Sequence, residues 1–235
     1  MITKYLANLP QLRNRGGLAH AMKASFKYYP AWKRSLAPST TALSDGVPWI
    51  TFEAQAFLDS ILTPTGIIFE YGSGGSTLYY SKRVQKVVSV ENDANWANLV
   101  QRALIQRELQ NCECRHVPSK QSLRAIGSPD DPQSYFSSAE EYKNHSFREY
   151  VVSIDAFPDQ FFDFVAVDGR ARPACMYYAR QKVKIGGYLM LDNSDRPHYQ
   201  RSKELLASWE KYEFFGPGPY NDYFWETTIW MRLSN

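Results

Sequence analysis

Short apolar runs alternate along the chain with longer stretches in which apolar residues recur every three or four positions. Runs of the first kind predict buried strands, and stretches of the second kind predict helices with one apolar face. Ile67-Ile68-Phe69 and Val87-Val88-Ser89-Val90 are the first two strands. Cys112-x-Cys114-x-His116 alternates as a third, Phe162 to Gly169 is a fourth and Tyr188 to Leu191 a fifth. The spacing predicts helices over 49–62, with Thr51 as N-cap and Pro64 and Gly66 closing it off, from Leu78 onward, over 95–109 and over 174–184. Near the end, the region from Tyr212 to Leu233 reads as strand, Gly216-Pro217-Gly218-Pro219 loop and closing strand Thr227 to Met231. Strands that alternate with helices predict an α/β domain with a mostly parallel sheet and helices on both faces.

Two stretches break this rhythm. From Ser119 to Tyr150 the chain is polar, interrupted by prolines and without period, which reads as a loosely ordered insertion or a lid on the ligand side of the sheet. Residues 1–44 are different again: they carry Lys4, Arg13, Arg15, Lys23, Lys27, Lys33 and Arg34 and no acidic residue. The chain has 27 basic and 24 acidic side chains in all, so the body from Asp45 to Asn235 is slightly acidic and the basic character is local. A body of that charge is not a nucleic-acid-binding surface. In the arm, Leu18, Met22, Phe26 and Tyr29 recur at helical spacing. Three readings stand for it: a helix packed as a lid, a surface that makes weak contact with anionic lipid or a polyanion, or a targeting peptide.

At 235 residues and 44% hydrophobic, the chain can bury one sizeable core and is too short for two domains of this type. The expected division is a basic extension, 1–44, and one domain, 45–235. Three cysteines give no disulfide framework, and no apolar run approaches the roughly 20 residues of a membrane span. With no signal-peptide core either, the expected location is cytoplasmic. Cys112, Cys114 and His116 fit a packed strand face better than a metal centre, which needs a fourth ligand and wider spacing.

The chemistry points to the stretch from Gly66 to Glu91. After the first strand come Glu70, Tyr71, Gly72, Ser73, Gly74, Gly75, Ser76 and Thr77, three glycines in four positions, which let a ligand approach main-chain N–H groups. Glu91 ends the second strand 19 residues after Gly72, close to the spacing of about 20 at which an acid accepts ribose hydroxyls. A dinucleotide fingerprint would place its third glycine at Thr77 and has no use for the carboxylate of Glu70, which suits a cationic ligand. Glu70-x-Gly72-x-Gly74 followed by Glu91 resembles the S-adenosylmethionine (SAM) site of the class I, Rossmann-like methyltransferases. That resemblance implies a seven-stranded, mostly parallel sheet with an antiparallel C-terminal hairpin. It also implies cofactor contacts from Glu70, from the loop Gly72 to Thr77, from Glu91, and from Ser119 near the adenine edge.

Asp168 ends the fourth strand and Asp192-Asn193 the fifth, so their oxygens converge at the edge where open α/β sheets bind ligands. Two readings stand: oxygen ligands for Mg²⁺ or another divalent cation, or acids that cap the following helices. The first resembles the metal site of the cation-dependent O-methyltransferases, which implies roles for Asp168, Asp192 and Asn193. Those enzymes carry a lysine base where this chain has Ala171, between Arg170 and Arg172. Arginine stays protonated, so Arg170, Arg172 and Arg196 read as clamps for an anionic or polyhydroxylated acceptor, with His198 and Tyr199 as candidate bases. The Asn/Asp-Pro-Pro-aromatic turn of amino-methylating relatives is replaced by Val167-Asp168-Gly169-Arg170, and Cys175 is poorly placed as a nucleophile. The expected activity is therefore O-methylation of a small-molecule or glycan hydroxyl. The alternatives are polyamine-synthase-like alkyl transfer, which would want more acids at the pocket, and a SAM-fold scaffold protein whose basic arm does the binding. The aromatic loop of Tyr220, Tyr223, Phe224 and Trp225 reads either as acceptor wall or as packing under a loop.

Overall fold

The computed structural model describes residues 2–122 and 127–233. Its strands are β1 (Ile67–Tyr71), β2 (Lys86–Glu91), β3 (Cys112–His116), β4 (Lys120–Gln121), β5 (His145–Ser146), β6 (Phe162–Val167), β7 (Val183–Asp192), β8 (Glu210–Gly216) and β9 (Trp225–Met231). The helices are α1 (Ile2–Ser35), α2 (Ala42–Asp45), α3 (Phe52–Ile61), α4 (Gly75–Ser81), α5 (Ala94–Gln106), α6 (Arg148–Val152), α7 (Arg172–Lys182) and α8 (Gln200–Glu204). Seven strands form one sheet in the order β3-β2-β1-β6-β7-β9-β8. The first five in that order run parallel, and β9 pairs antiparallel with both β7 and β8. The order reverses between β1 and β6, which opens a crevice at their carboxyl ends, as it does in doubly wound sheets.

The period-two alternation of side chains sorts the strands between two helix layers. Phe69, Tyr71, Val88, Val90, Val165 and Val167 face α7 and the segment around Tyr150. Ile68, Val87, Phe164 and Ala166 face α3 and the tyrosines of α4. Both faces of the central strands are closed, which is why these strands read as continuous apolar runs rather than as alternating ones.

The helix expected over 49–62 spans Phe52–Ile61, with Thr51 at the N-cap. Thr51 makes no side-chain capping bond; its hydroxyl donates instead to the Phe214 carbonyl at 3.2 Å. The helix expected over 174–184 begins two residues earlier, at Arg172, and ends at Lys182. β7 then extends through Gly186-Gly187, where a turn was expected, with Gly186 at φ 76°. The polar stretch 119–150 is the larger departure. Lys120–Gln121 pairs antiparallel with His145–Ser146, and Phe147, Tyr150 and Val151 are wholly buried in the core; residues 123–126 lie outside the described residues.

The arm also packs. Gly17 (φ 79°, ψ 171°) breaks α1, and the chain folds back so that Tyr5 meets Tyr29 and Trp32, with ring centroids 5.1 and 4.9 Å apart. A left-handed φ followed by an extended ψ is a backbone state that glycine reaches without strain. The inner face of this hairpin buries Tyr5, Leu12, Ala24, Tyr28 and Trp32 against Phe215 and Phe224. Trp32 has no exposed surface, and its Nε1 donates to the Asn221 carbonyl at 2.7 Å. Lys4 pairs with Asp222 and Arg15 with Glu226. Trp32→Ala should therefore cost about 3–5 kcal/mol of stability, as large-to-small changes of a buried tryptophan do. Chemical denaturation followed by circular dichroism would measure it, and an unchanged midpoint would mean that the hairpin lies outside the cooperative unit of the body.

Candidate active site

β1 ends in the turn that makes the crevice. Gly72 sits at φ 93°, and a Cβ there would lie 2.7 Å from the Gly169 Cα and 2.8 Å from its backbone nitrogen. The turns after β1 and β6 therefore touch backbone to backbone, which only glycine permits on either side: a Cβ on Gly169 would lie 2.9 Å from the Gly72 nitrogen. Gly75 opens α4 against the segment before α3, where a Cβ would meet the Ala42 carbonyl oxygen at 2.0 Å. Between these fixed points Gly72, Ser73, Gly74, Gly75 and Ser76 form one wall of a crevice of about 420 Å³. Glu91, Asn92 and Asp93 form its far edge, Trp96 and Tyr142 close the sides, and Asp168, Gly169 and Arg170 form the facing wall.

Glu91 lies where an acid at the end of β2 should. Its Oε2 accepts from the Ser73 backbone N–H at 3.1 Å, and its Oε1 from the N–H groups of Asn92 and Asp93 at 2.7 and 2.9 Å. The carboxylate thus ties the glycine turn to the β2 end. Burial pushes its pKa up, and the backbone donors oppose the shift. Trp96 Nε1 donates to the Ser73 carbonyl at 2.7 Å, which fixes the indole at the crevice, and Asn92 Nδ2 donates to the Tyr142 hydroxyl at 2.7 Å. Trp96 falls within the helix expected over 95–109 and Tyr142 within the polar stretch from Ser119 to Tyr150, and neither position carries a local signal of a ligand site.

Glu70 and Thr77 lie beneath the turn and do not line the crevice. Glu70 points to the α4 face, where its register partner on β2 is Ser89. Its Oε2 accepts from Thr77 Oγ1 at 2.6 Å and from Ser89 Oγ at 2.7 Å, while Thr77 Oγ1 accepts from the Gly74 N–H at 2.8 Å. The chain Glu70–Thr77–Gly74 therefore sets the loop from below. Ser119 is likewise outside the crevice lining, with its hydroxyl 3.0 Å from His145 Nδ1.

Asp168, Asp192 and Asn193 do converge, and a side chain already lies among them. The Arg172 guanidinium reaches Asp168 Oδ1 and the Asp168 carbonyl through Nη2 at 2.8 and 2.9 Å. Nη1 donates to the Asp192 carbonyl and to Asn193 Oδ1 at 2.5 and 3.2 Å, and Nε donates to the Gly169 carbonyl at 3.0 Å. Asp192 Oδ1 is taken by Thr227 Oγ1 and Trp225 Nε1 at 2.6 and 2.9 Å. A divalent cation would need these oxygens within about 2.0–2.6 Å and would face a fixed positive charge, so the cluster does not fit a metal ion. Among the described residues, no group of three or more His, Cys, Asp and Glu side chains is placed to hold one. Burial raises Asp192 to about 7, helped by the charge of Asp168 and opposed by Arg172. Asp168 is raised by burial to about 6 against the same guanidinium; its Oδ2 makes no hydrogen bond among the described residues, and the side chain lines the crevice.

His198 lies apart from the crevice lining, its Nε2 3.3 Å from Ser138 Oγ and its pKa lowered by burial and by Arg196 and Arg172. A second, smaller pocket of about 150 Å³ adjoins the crevice through Gly169 and Arg170 and is lined by Ser137, Ser138, Arg170, Arg172 and Arg196. Arg170 is held over the Tyr142 ring at 5.1 Å and pairs with Glu141.

No protein-family model matches the chain, and no curated protein matches it in sequence. Solved structures do match its fold. An O-methyltransferase from Bacillus cereus in complex with SAH aligns over 99% of this chain and 100% of its own at 14% identity, with a TM-score of 0.58. The O-methyltransferase TomG from Streptomyces achromogenes, in complex with SAM, covers 87% of this chain and 95% of its own at 16% identity and a TM-score of 0.58. A methyltransferase-like protein from Silicibacter pomeroyi covers 78% and 87% at 20% identity and 0.52. At these identities the likeness is one of fold: the chain has the Rossmann-like fold of the class I SAM methyltransferases.

The buried carboxyl under the turn leaves a signature in the pH dependence of stability. Burial raises Glu70 from the ordinary 4.5 to about 7. A carboxyl that holds its proton more tightly when folded contributes stability below its unfolded pKa and loses it as pH rises through the folded one. The difference in melting temperature between the wild type and Glu70→Gln should therefore shift against the wild type from about pH 4.5 to about pH 7 and level off above. A difference that stays flat across that window would sink the account of Glu70.

Proposed function

We propose that the protein is a SAM-dependent O-methyltransferase acting on an acceptor that carries an anionic group, without a divalent cation. The observation that carries the cofactor reading is the Glu91 carboxylate held under the Ser73 N–H at the edge of a glycine-walled crevice. The crevice fits the group: its wall has no Cβ at Gly72, Gly74 and Gly75, and Glu91 offers acceptor oxygens where ribose hydroxyls would lie. Gly72 to Ser76, Glu91, Asn92 and Trp96 are the residues that would hold it. When bound, SAM supplies an electrophilic methyl group.

The remaining chemistry belongs to this chain's side chains. The Asp168 carboxylate stands on the facing wall with one oxygen held by Arg172 and the other free, and burial holds its pKa above the ordinary carboxylate value, which makes it a better acceptor for a hydroxyl proton. Arg170 and Arg196 border the adjoining pocket, where a carboxylate, phosphate or sulfate on the acceptor would find charge-assisted donors and be held in one orientation. Arginines rather than acids at that pocket speak against a polyamine acceptor. The guanidinium of Arg172 supplies the fixed positive charge that a metal would otherwise bring, so chelation has nothing to remove.

Calorimetry with SAH tests the cofactor reading. SAH should bind, and Glu91→Ala should weaken binding by about 1–3 kcal/mol through lost charge-assisted bonds. Binding of NAD with no binding of SAH would overturn it.

Turnover tests the rest. Methyl transfer from labelled SAM should persist in excess chelator, and Asp168→Asn should lower kcat by about a hundredfold or more while SAH still binds. Abolition by chelator and rescue by Mg²⁺ would show that an ion displaces Arg172 and that the cation-free reading is wrong.

A further inference from the structure

The hairpin of α1 has two apolar faces, and only one of them is used by the fold. Tyr5, Leu12, Tyr28 and Trp32 are buried against the body. Beyond that cluster, with Tyr5 at the floor, Ile2 and Leu6 of the first arm and Leu18, Met22 and Phe26 of the second line a groove of about 800 Å³ between the arms. Each of these five is more than half exposed, and Phe26 is 82% exposed. Residues four apart on a helix share a face, so 2 and 6, and 18, 22 and 26, form two parallel apolar stripes. An exposed apolar surface of this kind on a packed element marks a binding face.

The charge around it says what kind. Arg13 lines the groove, Lys23 and Lys27 follow Met22 and Phe26 by one residue, and Lys33 stands two turns beyond Phe26 on the same face. All four are exposed, and none of them is in an ion pair among the described residues. No acidic residue occurs in positions 1–44. We propose that this face of α1 seats the protein on an anionic lipid surface. Leu18, Met22 and Phe26 would lie at the acyl boundary, and the lysines and Arg13 at the level of the phosphates. No helix among the described residues is long and apolar enough to cross a membrane, so the hairpin lies in the interface rather than spanning it. The slightly acidic body is repelled by the same surface, which orients the protein with the hairpin down. A second copy docked face to face would set these cations against their own equivalents with no acid on the hairpin to answer them, so charge favours lipid over self-association.

Co-sedimentation of the full chain with lipid vesicles tests this. Vesicles of phosphatidylcholine with about one third phosphatidylglycerol should bind it, and pure phosphatidylcholine should not; a basic residue near an anionic surface contributes about fivefold in partitioning. Two sets of exposed substitutions separate the two components of the face: Leu18→Ser with Met22→Ser and Phe26→Ser, and Lys23→Glu with Lys27→Glu. Each set should lower the partition coefficient about tenfold or more and leave the melting temperature unchanged, and salt should weaken wild-type binding. Should one set melt early, the other decides. Failure of the wild type to bind anionic vesicles, equal binding to both vesicle types, or a dimer in sedimentation velocity that the apolar set dissociates would each overturn the proposal. Binding to lipid is read without cofactor or acceptor, so its outcome is independent of the methyltransferase reading.

Discussion

One buried guanidinium holds the open end of the sheet together. Arg172 donates to main-chain oxygens of Asp168, Gly169 and Asp192 and to the side chains of Asp168 and Asn193, and so ties the carboxyl ends of β6 and β7 at the edge of the crevice. Burying a guanidinium is costly unless its donors are met, and here every nitrogen has an oxygen within hydrogen-bond distance. The two turns that make this possible are strained: Ala171 and Asn193 both take left-handed backbone, at φ 47° and 51°. Non-glycine residues persist there only where the surroundings fix them, and such sites concentrate where a protein positions chemistry. Asp168 owes its place on the crevice wall to this knot, so the electrostatics of the site and the order of the sheet end share one cause.

The glycine turn depends on that wall. Gly72 and Gly169 pack backbone against backbone, which brings the end of β1 to the end of β6 at the point where the strand order reverses. Glu91 then pulls the turn toward β2 from one side, and Glu70 holds it through Thr77 from beneath. The N–H groups of Gly72, Ser73 and Gly74 are all engaged, by Val90, Glu91 and Thr77, so the turn is held in one conformation, which is the preorganisation that a ligand-binding loop requires.

How much of this was legible in the sequence follows from how local each signal is. The central strands were readable because burial on both faces leaves a continuous apolar run, and the Gly72 to Glu91 unit was readable because its spacing is contained in 20 residues. Glu70 stands out in the sequence as an unusual acid, but strand alternation puts it on the same face as Ile68, toward α4, rather than in the crevice lining. Arg172 reads in sequence only as a clamp for an acceptor, because the oxygens that claim it lie at the ends of two strands and meet only in the folded sheet. The buried segment from Phe147 was hidden by the polar residues before it. In the arm, Gly16-Gly17 interrupts the periodicity, and the residues that bury Trp32 lie some 190 positions further along.

The arm and the crevice are joined by the loop between β8 and β9. Asn221 receives the Trp32 indole, and Phe224 packs on Tyr5. One residue before Asn221, the Tyr220 hydroxyl donates to Asp45 at 2.8 Å, and its ring lies edge-on to Trp49, which borders the crevice beside Asp45's neighbours in α2. One residue beyond Phe224, Trp225 donates to Asp192 beneath the arginine knot. The loop is thus held at one end by the hairpin and at the other by the sheet edge that carries the acids, with aromatic rings filling the space between. Along that path the Tyr220–Asp45 bond lies at the surface, and the Trp225–Asp192 bond is buried. The hairpin and the crevice edge are therefore linked through one loop, by ring packing on Tyr5 and Trp49 and by hydrogen bonds from Trp32, Tyr220 and Trp225.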